Sequence, residues 1–277
     1  MTRAVCDICP HRCNLDEGQT GLCRARRNRG GSVVSESYGV LTALALDPIE
    51  KKPLRRFFPG SRILSVGSFG CNLHCPFCQN SHISMIGLEE VRADKRVSPA
   101  QLVEAALADK NKGNIGLAYT YNEPLVGYEF VLDCTRAGAE AGLQNVLVTN
   151  GYICREPLFR LLPYIQAMNI DFKGFSEAYY VKLGGDPETV METIRLASEV
   201  CHVEITTLIV PGENDSEEEI KELAGWLSSV DPEIPLHISR FFPGWQMTDR
   251  GPTPVETIYA FAAIARKYLH YVYEGNC

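Results

Sequence analysis

The chain has 277 residues, and 45% of them are hydrophobic, which is enough for the core of one large domain with or without a small appendage. It contains no run of 18 uncharged apolar residues, and its amino terminus has no apolar signal-peptide core. We therefore expect a cytoplasmic protein without a membrane span. The formal net charge of −7 argues against nucleic acid as the main partner.

The distribution of the cysteines is the first strong signal. Seven of the 11 lie within the first 78 residues, and Cys134, Cys154 and Cys201 are scattered among apolar residues, where we expect structural thiols. A secreted scaffold held by disulfides would be shorter and more evenly cross-linked. Clustered cysteines in an intracellular chain instead indicate metal or iron–sulfur ligation.

Residues 1–60 are predicted to form a small Cys-rich module with a linker, separate from residues 61–277. Four thiols of this module fall within 18 residues, at Cys6, Cys9, Cys13 and Cys23. Such a set can bind one zinc ion, or it can bind a second iron–sulfur cluster, because the spacing and the Cys-Pro pair resemble ferredoxin ligation. The sequence leaves zinc, a second cluster and incidental thiols open.

The same module carries an arginine-rich stretch, RARRNRGG, at residues 24–31. Residues 1–62 hold 11 Lys and Arg against 6 Asp and Glu, whereas the chain as a whole is acidic. We interpret the stretch as a solvated loop, since a short basic run is more often solvated than bound to nucleic acid. A nucleic-acid-modifying enzyme is therefore only a minor alternative.

A regular alternation of strand and helix patterns follows from residue 61 onward. Nearly continuous apolar runs, typical of parallel strands covered on both faces, predict strands at residues 62–69, 114–121, 144–150, 166–172, 202–210 and 235–241. Amphipathic segments with capping residues predict helices at 98–110, 124–142, 186–200, 215–229 and 253–269. The series predicts an α/β fold, a partial (β/α)6 barrel of the TIM type, with its active site at the carboxyl ends of the strands.

The stretch CNLHCPFCQN directly follows the first predicted strand and places Cys71, Cys75 and Cys78 in the first βα loop. A structural zinc site needs four ligands, of which His74 or His82 could supply the fourth. A four-iron cubane held by only three cysteines instead keeps one iron open for an exogenous ligand.

CNLHCPFC resembles the C-x3-C-x-Φ-C signature of the radical S-adenosylmethionine (SAM) superfamily, with Phe77 as the aromatic residue. The resemblance implies a [4Fe-4S] cluster on the three cysteines and SAM bound to its open iron. It also implies reductive cleavage of SAM to a 5′-deoxyadenosyl radical that abstracts hydrogen from substrate. An oxidoreductase of this kind works anaerobically with a low-potential electron donor such as flavodoxin or ferredoxin.

The ends of the later strands resemble those of the pyruvate formate-lyase activating enzymes. YTYNEP ends the second strand, and the resemblance implies that Asn122 and Glu123 contact SAM, with Glu123 accepting from its ammonium group. Without the resemblance, the pair reads as a helix cap before Pro124. Arg240, at the end of the sixth strand, could reach the ligand or the substrate, or it could anchor a loop.

VTNG and NIDFKG end the third and fourth strands and supply four more expected SAM-site residues. The resemblance includes Thr149 and Asn150, places Lys173 near the SAM carboxylate, and lets Asp171 with Thr149 hold a monovalent cation. Val148 stands where that family usually has Asp, which weakens the cation site. The alternative for Asp171 and Lys173 is an ion pair at a strand end.

Motifs along nearly the whole chain resemble the radical SAM component of the AmmeMemoRadiSam system, among them CDICPHRC, DPIEKKPL and RFFPGWQM. The resemblance implies an enzyme that modifies a protein, a peptide or a small molecule together with companion proteins. A glycyl-radical-enzyme activase is the main alternative. A non-catalytic protein for electron transfer or metal binding is the least favoured.

Overall fold

An open sheet of eight strands forms the centre of the protein, whose computed structural model describes residues 2–91 and 96–277. The strands are β1 (Ala4–Val5), β2 (Asn14–Leu15), β3 (Arg26–Arg29), β4 (Ser32–Ser35), β5 (Ala43–Pro48), β6 (Arg62–Gly67), β7 (Asn114–Tyr119), β8 (Gln144–Thr149), β9 (Ala167–Asp171), β10 (His202–Ile209), β11 (Leu236–Arg240) and β12 (Val272–Gly275). The helices are α1 (Ser81–Ser84), α2 (Pro99–Ala108), α3 (Tyr128–Glu140), α4 (Arg155–Leu161), α5 (Glu177–Leu183), α6 (Pro187–Ser198), α7 (Glu217–Val230) and α8 (Val255–Ala265).

The central sheet is the partial barrel that the sequence predicts, extended by one strand at each edge. Its order is β12-β11-β10-β9-β8-β7-β6-β5, and β6 to β12 are parallel. All six predicted strands and all five predicted helices are confirmed. The sequence missed β12. It shows a β-like stretch at residues 32–46, which covers most of β5, within the separate module, whereas β5 pairs antiparallel with β6 of the barrel. Both are edge strands, so they lack the long buried runs of the central strands.

The segment between β5 and β6 fills the interior of the barrel near the beginnings of its strands. Ile49 and Leu54 are fully buried there and pack with Ile63, Val146 and Ala167 in a core of their own. The larger core lies between the sheet and the helices. The segment that the sequence presents as a linker is therefore part of the barrel core.

A buried carboxylate fixes this segment to the sheet. Glu204, on β10, is fully buried and accepts hydrogen bonds from the backbone N–H groups of Arg55 at 3.0 Å and Arg56 at 2.7 Å. The Nε2 atoms of His202 and His237 lie 2.9 and 2.6 Å from its two oxygens. Burial alone would raise the pKa of Glu204, but these hydrogen bonds outweigh it and lower the pKa to about 2.

The arginine-rich stretch forms a strand, so its interpretation as a solvated loop is wrong. β3 and β4 make an antiparallel hairpin, and the guanidinium groups of β3 form ion pairs with carboxylates elsewhere in the chain. The pairs are Arg26 with Glu129 on α3, Arg27 with Glu89, and Arg29 with Glu36. These arginines hold the amino-terminal module together and join it to the barrel.

In the described part of the chain, no helix is both long enough and apolar enough to cross a bilayer.

Candidate SAM and cluster site

A cavity of about 380 Å³ lies where the carboxyl ends of β6 to β10 meet. Ten of the eleven residues predicted for this site line it, namely Cys71, Cys75, Phe77, Cys78, Asn122, Glu123, Thr149, Asn150, Asp171 and Lys173. Parallel strands end at the same edge of a sheet, so side chains far apart in sequence converge there. The exception is Arg240, whose Nε donates to the Thr253 carbonyl and whose guanidinium lies over Phe242. Arg240 thus anchors a loop in this structure.

The loop after β6 holds the three cysteines. Gly70 begins it with a φ of +86°, and a Cβ there would lie 2.5 Å from the Cys23 carbonyl, so only glycine fits this close approach. Two N–H groups point at Cys71 Sγ, from the Leu73 backbone at 3.4 Å and the Asn150 side chain at 3.7 Å. Such donors stabilise a cysteine sulfur that carries negative charge.

The chemistry of these thiols fits a cluster. Burial raises the pKa of Cys75 to about 11 and raises that of Cys71 as well, so both thiols keep their protons without a metal. The positive charge of a bound metal would favour the loss of these protons. In residues 2–91 and 96–277, no three His, Cys, Asp or Glu side chains converge on one metal ion. Cysteines that bind separate irons of a cubane need not converge. Neither His74 nor His82 lines the cavity as a fourth ligand.

Glu123 is the most heavily bonded carboxylate of the cavity. It accepts from the Leu125 N–H at 3.0 Å, the Thr149 hydroxyl at 2.8 Å and the Asn150 N–H at 2.8 Å. The first of these bonds caps a short 3₁₀ helix at Pro124–Gly127, so the capping role also exists.

Burial raises the pKa of Glu123 to about 7, against the opposing effect of its hydrogen bonds. Lys52 and Lys173, which line the same cavity, pair with Asp47 and Asp171 instead of Glu123. An ammonium group in the cavity would therefore meet a buried carboxylate that these lysines leave unpaired.

The Asn122 side chain is hydrogen-bonded to the backbone at the start of the cysteine loop. Its Oδ1 accepts from the Ser68 N–H at 2.9 Å, and its Nδ2 donates to the carbonyls of Phe69 at 3.1 Å and Gly70 at 3.0 Å. The side chain is buried and bonds to the three residues that precede Cys71. Asn122 therefore positions the loop.

Asp171 and Lys173 form an ion pair with 2.8 Å between Oδ2 and Nζ, the alternative that the spacing left open. Burial alone would lower the pKa of Lys173, but the Asp171 carboxylate more than offsets this, and the net pKa is raised. Both side chains still line the cavity. Thr149, the other expected cation ligand, donates to Glu123 instead.

Asn72 is a buried residue of this site that the sequence did not reveal. It is 2% exposed, accepts from the Asn150 side chain at 2.9 Å and donates to the Tyr152 carbonyl at 2.7 Å. Its own carbonyl bonds to Nε2 of His11 at 2.7 Å. Its place directly after Cys71 is the only sequence signal for it.

The far wall of the cavity was also missed. Lys52, from the segment inside the barrel, is 2% exposed and pairs with Asp47 at 2.8 Å. The Tyr121 hydroxyl donates to the same carboxylate at 2.6 Å, and Tyr121 has a left-handed φ of +72°. Lys51 lines the same wall. Asp47 pairs with both lysines, since its carboxylate also lies 3.5 Å from Nζ of Lys51.

We expect Glu123→Gln to lower the free energy of unfolding by about 1–3 kcal/mol. The NH2 group of the glutamine would face an N–H or O–H donor at a position where a carboxylate oxygen of the wild type accepts a hydrogen bond. It should also weaken SAM binding, measured by calorimetry on the cluster-loaded protein. Asp186→Asn is the matched control, since Asp186 caps α6 through the Thr189 N–H and asparagine caps equally well. Unchanged SAM affinity in Glu123→Gln would contradict the role of the carboxylate.

Comparisons with known proteins agree with this geometry. An uncharacterised protein of Methanocaldococcus jannaschii is 40% identical over 274 residues, which cover 98% of this chain and 80% of that protein. Pyruvate formate-lyase 1-activating enzyme of Escherichia coli is 25% identical over 172 residues, which cover 60% of this chain and 68% of the enzyme.

SuiB of Streptococcus suis, solved with bound S-adenosylmethionine, shares the fold with a TM-score of 0.58 at 14% identity, over 78% of this chain and 52% of SuiB. A SuiB structure with the precursor peptide SuiA matches with a TM-score of 0.55 at 14% identity, over 74% of this chain and 46% of SuiB. Residues 65–224, more than half of the chain, match the model of the radical SAM superfamily. These residues contain the three cysteines and the strand ends that form the cavity, and the chain belongs to the radical SAM superfamily.

Proposed function

We propose that this protein binds a [4Fe-4S] cluster through Cys71, Cys75 and Cys78 and uses SAM to abstract hydrogen from a protein or peptide substrate. A low-potential flavodoxin or ferredoxin would supply the electron. The observation that carries the proposal is the convergence of the three cysteines, Glu123 and Lys173 on one cavity. A SAM-dependent cluster site explains this combination of residues better than any other kind of site.

When bound, the cluster and SAM supply one-electron cleavage of a C–S bond, which gives the 5′-deoxyadenosyl radical. The chain's own residues bind and orient the cofactor. Glu123 would accept from the ammonium group of SAM, and Lys173 would donate to the SAM carboxylate if its own ammonium group turned away from Asp171. If a monovalent cation bound beside that carboxylate, Asp171 would be a ligand of the cation instead of a partner of Lys173.

A substrate with an extended backbone fits the open barrel. The sheet ends at β5 and β12, which do not pair with each other. Lys51, which follows β5, and Asn276, which follows β12, both line the cavity, so the space between the two edges leads into it. The structure of SuiB with its precursor peptide supports a peptide in such a fold.

A glycyl-radical-enzyme activase is the second candidate. The similarity to the E. coli pyruvate formate-lyase 1-activating enzyme favours it. The resemblance to AmmeMemoRadiSam enzymes favours a different protein substrate, because the partners in that system are not glycyl-radical enzymes. Substrate assays can separate the two.

The test uses anaerobically reconstituted protein with dithionite and SAM. We expect 5′-deoxyadenosine by liquid chromatography, and a higher yield when intact companion proteins encoded beside the gene are added. A yield raised only by small metabolites would exclude the protein substrate. An EPR doublet after mixing with pyruvate formate-lyase would identify the activase instead. Protein that holds the cluster yet forms no 5′-deoxyadenosine would indicate a non-catalytic role.

A further inference from the structure

The four cysteines of the amino-terminal module surround a second, smaller cavity. Cys6, Cys9, Cys13 and Cys23 all line it, together with apolar side chains that include Ile8. Cys6, Cys9 and Cys23 are each less than 10% exposed. These four thiols have no role in the proposed reaction, because their cavity shares no lining residue with the SAM cavity.

The positions of the four cysteines distinguish between the metals that the sequence left open. A tetrahedral zinc ion holds four sulfurs at about 2.3 Å, so they close around it. Here all four cysteines line one cavity, yet among the described residues no three His, Cys, Asp or Glu side chains lie close enough together to hold one metal ion. The four residues are thus spaced more widely than zinc ligands, as residues that bind the separate irons of a cubane must be.

An unpartnered buried donor faces the same cavity. Arg26 is 4% exposed and lines the cavity, and its two terminal nitrogens bond to Glu129 at 2.8 and 2.6 Å. Its Nε is buried and has no hydrogen-bond partner within residues 2–91 and 96–277. A buried N–H of this kind needs an acceptor, which a thiolate or a cluster sulfide would supply.

We propose that Cys6, Cys9, Cys13 and Cys23 bind a second [4Fe-4S] cluster. The proposal rests on the wide spacing of the four thiols around one buried cavity and on the unpartnered Nε of Arg26. It does not depend on the reaction proposed above.

The second site also contacts the first. Asn72 follows Cys71, and its side chain accepts from Asn150, which lines the SAM cavity. Its backbone carbonyl bonds to Nε2 of His11, which lines the second cavity. The side chain of Asn72 thus contacts the first site and its backbone contacts the second.

The test compares iron content in the anaerobically reconstituted full chain and two variants. We expect about eight irons in the wild type and about four in each of two variants, one with Cys71, Cys75 and Cys78 changed to alanine and one with all four amino-terminal cysteines changed to serine. About four irons with one zinc in the wild type, the zinc lost from the serine variant, would overturn the proposal. So would an alanine variant that retains no iron.

The alanine variant keeps the result decisive if the serine variant does not fold, because its amino-terminal module is intact. The iron that remains in the alanine variant must give the Mössbauer spectrum of a four-iron cluster. The variant itself must form no 5′-deoxyadenosine. If the wild type holds two clusters but does not cleave SAM, the proposed function fails while this inference stands. If it cleaves SAM with one cluster only, the reverse holds.

Discussion

Cys75→Ala is expected to reduce the cleavage of SAM to the level of the enzyme-free reaction. Cys75 is buried beside the cavity, and in the proposed site no other cysteine of the first βα loop can replace it, because Cys71 and Cys78 would bind two other irons. Enzymes accelerate reactions by about 10⁶-fold or more, so losing the cofactor removes an effect of at least that order. The measurement is 5′-deoxyadenosine formed per chain under dithionite.

Cys201→Ala is the matched control, since Cys201 lies between α6 and β10 and does not line the cavity. It should leave both the visible absorption of the first cluster and the yield of 5′-deoxyadenosine unchanged. A Cys75→Ala protein that kept the cluster spectrum and cleaved SAM would refute the assignment of the three cysteines.

Glu204→Ala should have the largest effect on stability. It removes a fully buried carboxylate and leaves the N–H groups of Arg55 and Arg56 and the ring of His237 without their acceptor. Removing one partner of a buried charged network costs about 3–5 kcal/mol. Urea unfolding at pH 7 measures this loss. Glu218→Ala, at an exposed position on α7, should change the free energy of unfolding by less than about 0.5 kcal/mol.

The lowered pKa of Glu204 also makes the free energy of unfolding depend on pH in the acid range. Its pKa is about 2 in the folded chain against 4.5 for the ordinary group, so its contribution is fully present above about pH 5 and is lost as the pH falls through about 2. The wild type should lose about 3 kcal/mol more than Glu204→Gln over that interval. Parallel pH profiles for the two proteins would contradict the depressed pKa.

Much of the site could be predicted because each residue follows a strand whose apolar run is plain in the sequence. Glu123, Asn150 and Lys173 lie within four residues after the ends of β7, β8 and β9, and parallel strands bring such positions to one edge. The sequence could not rank the alternatives for Arg240, which bonds to Thr253 in the neighbouring loop. Nor could it show that Glu123 both caps a helix and faces the cavity.

The sequence by itself determined the alternation of strands and helices and the two groups of cysteines, because apolar periodicity and ligand spacing are local properties of the chain. Only the tertiary structure placed the segment after β5 inside the barrel, made Glu204 its anchor and set Asn72 between the two groups of cysteines. These contacts join residues 70 to 150 positions apart in the chain. They arise because buried polar groups must find partners in three dimensions, and no local pattern in the sequence records which partner each one finds.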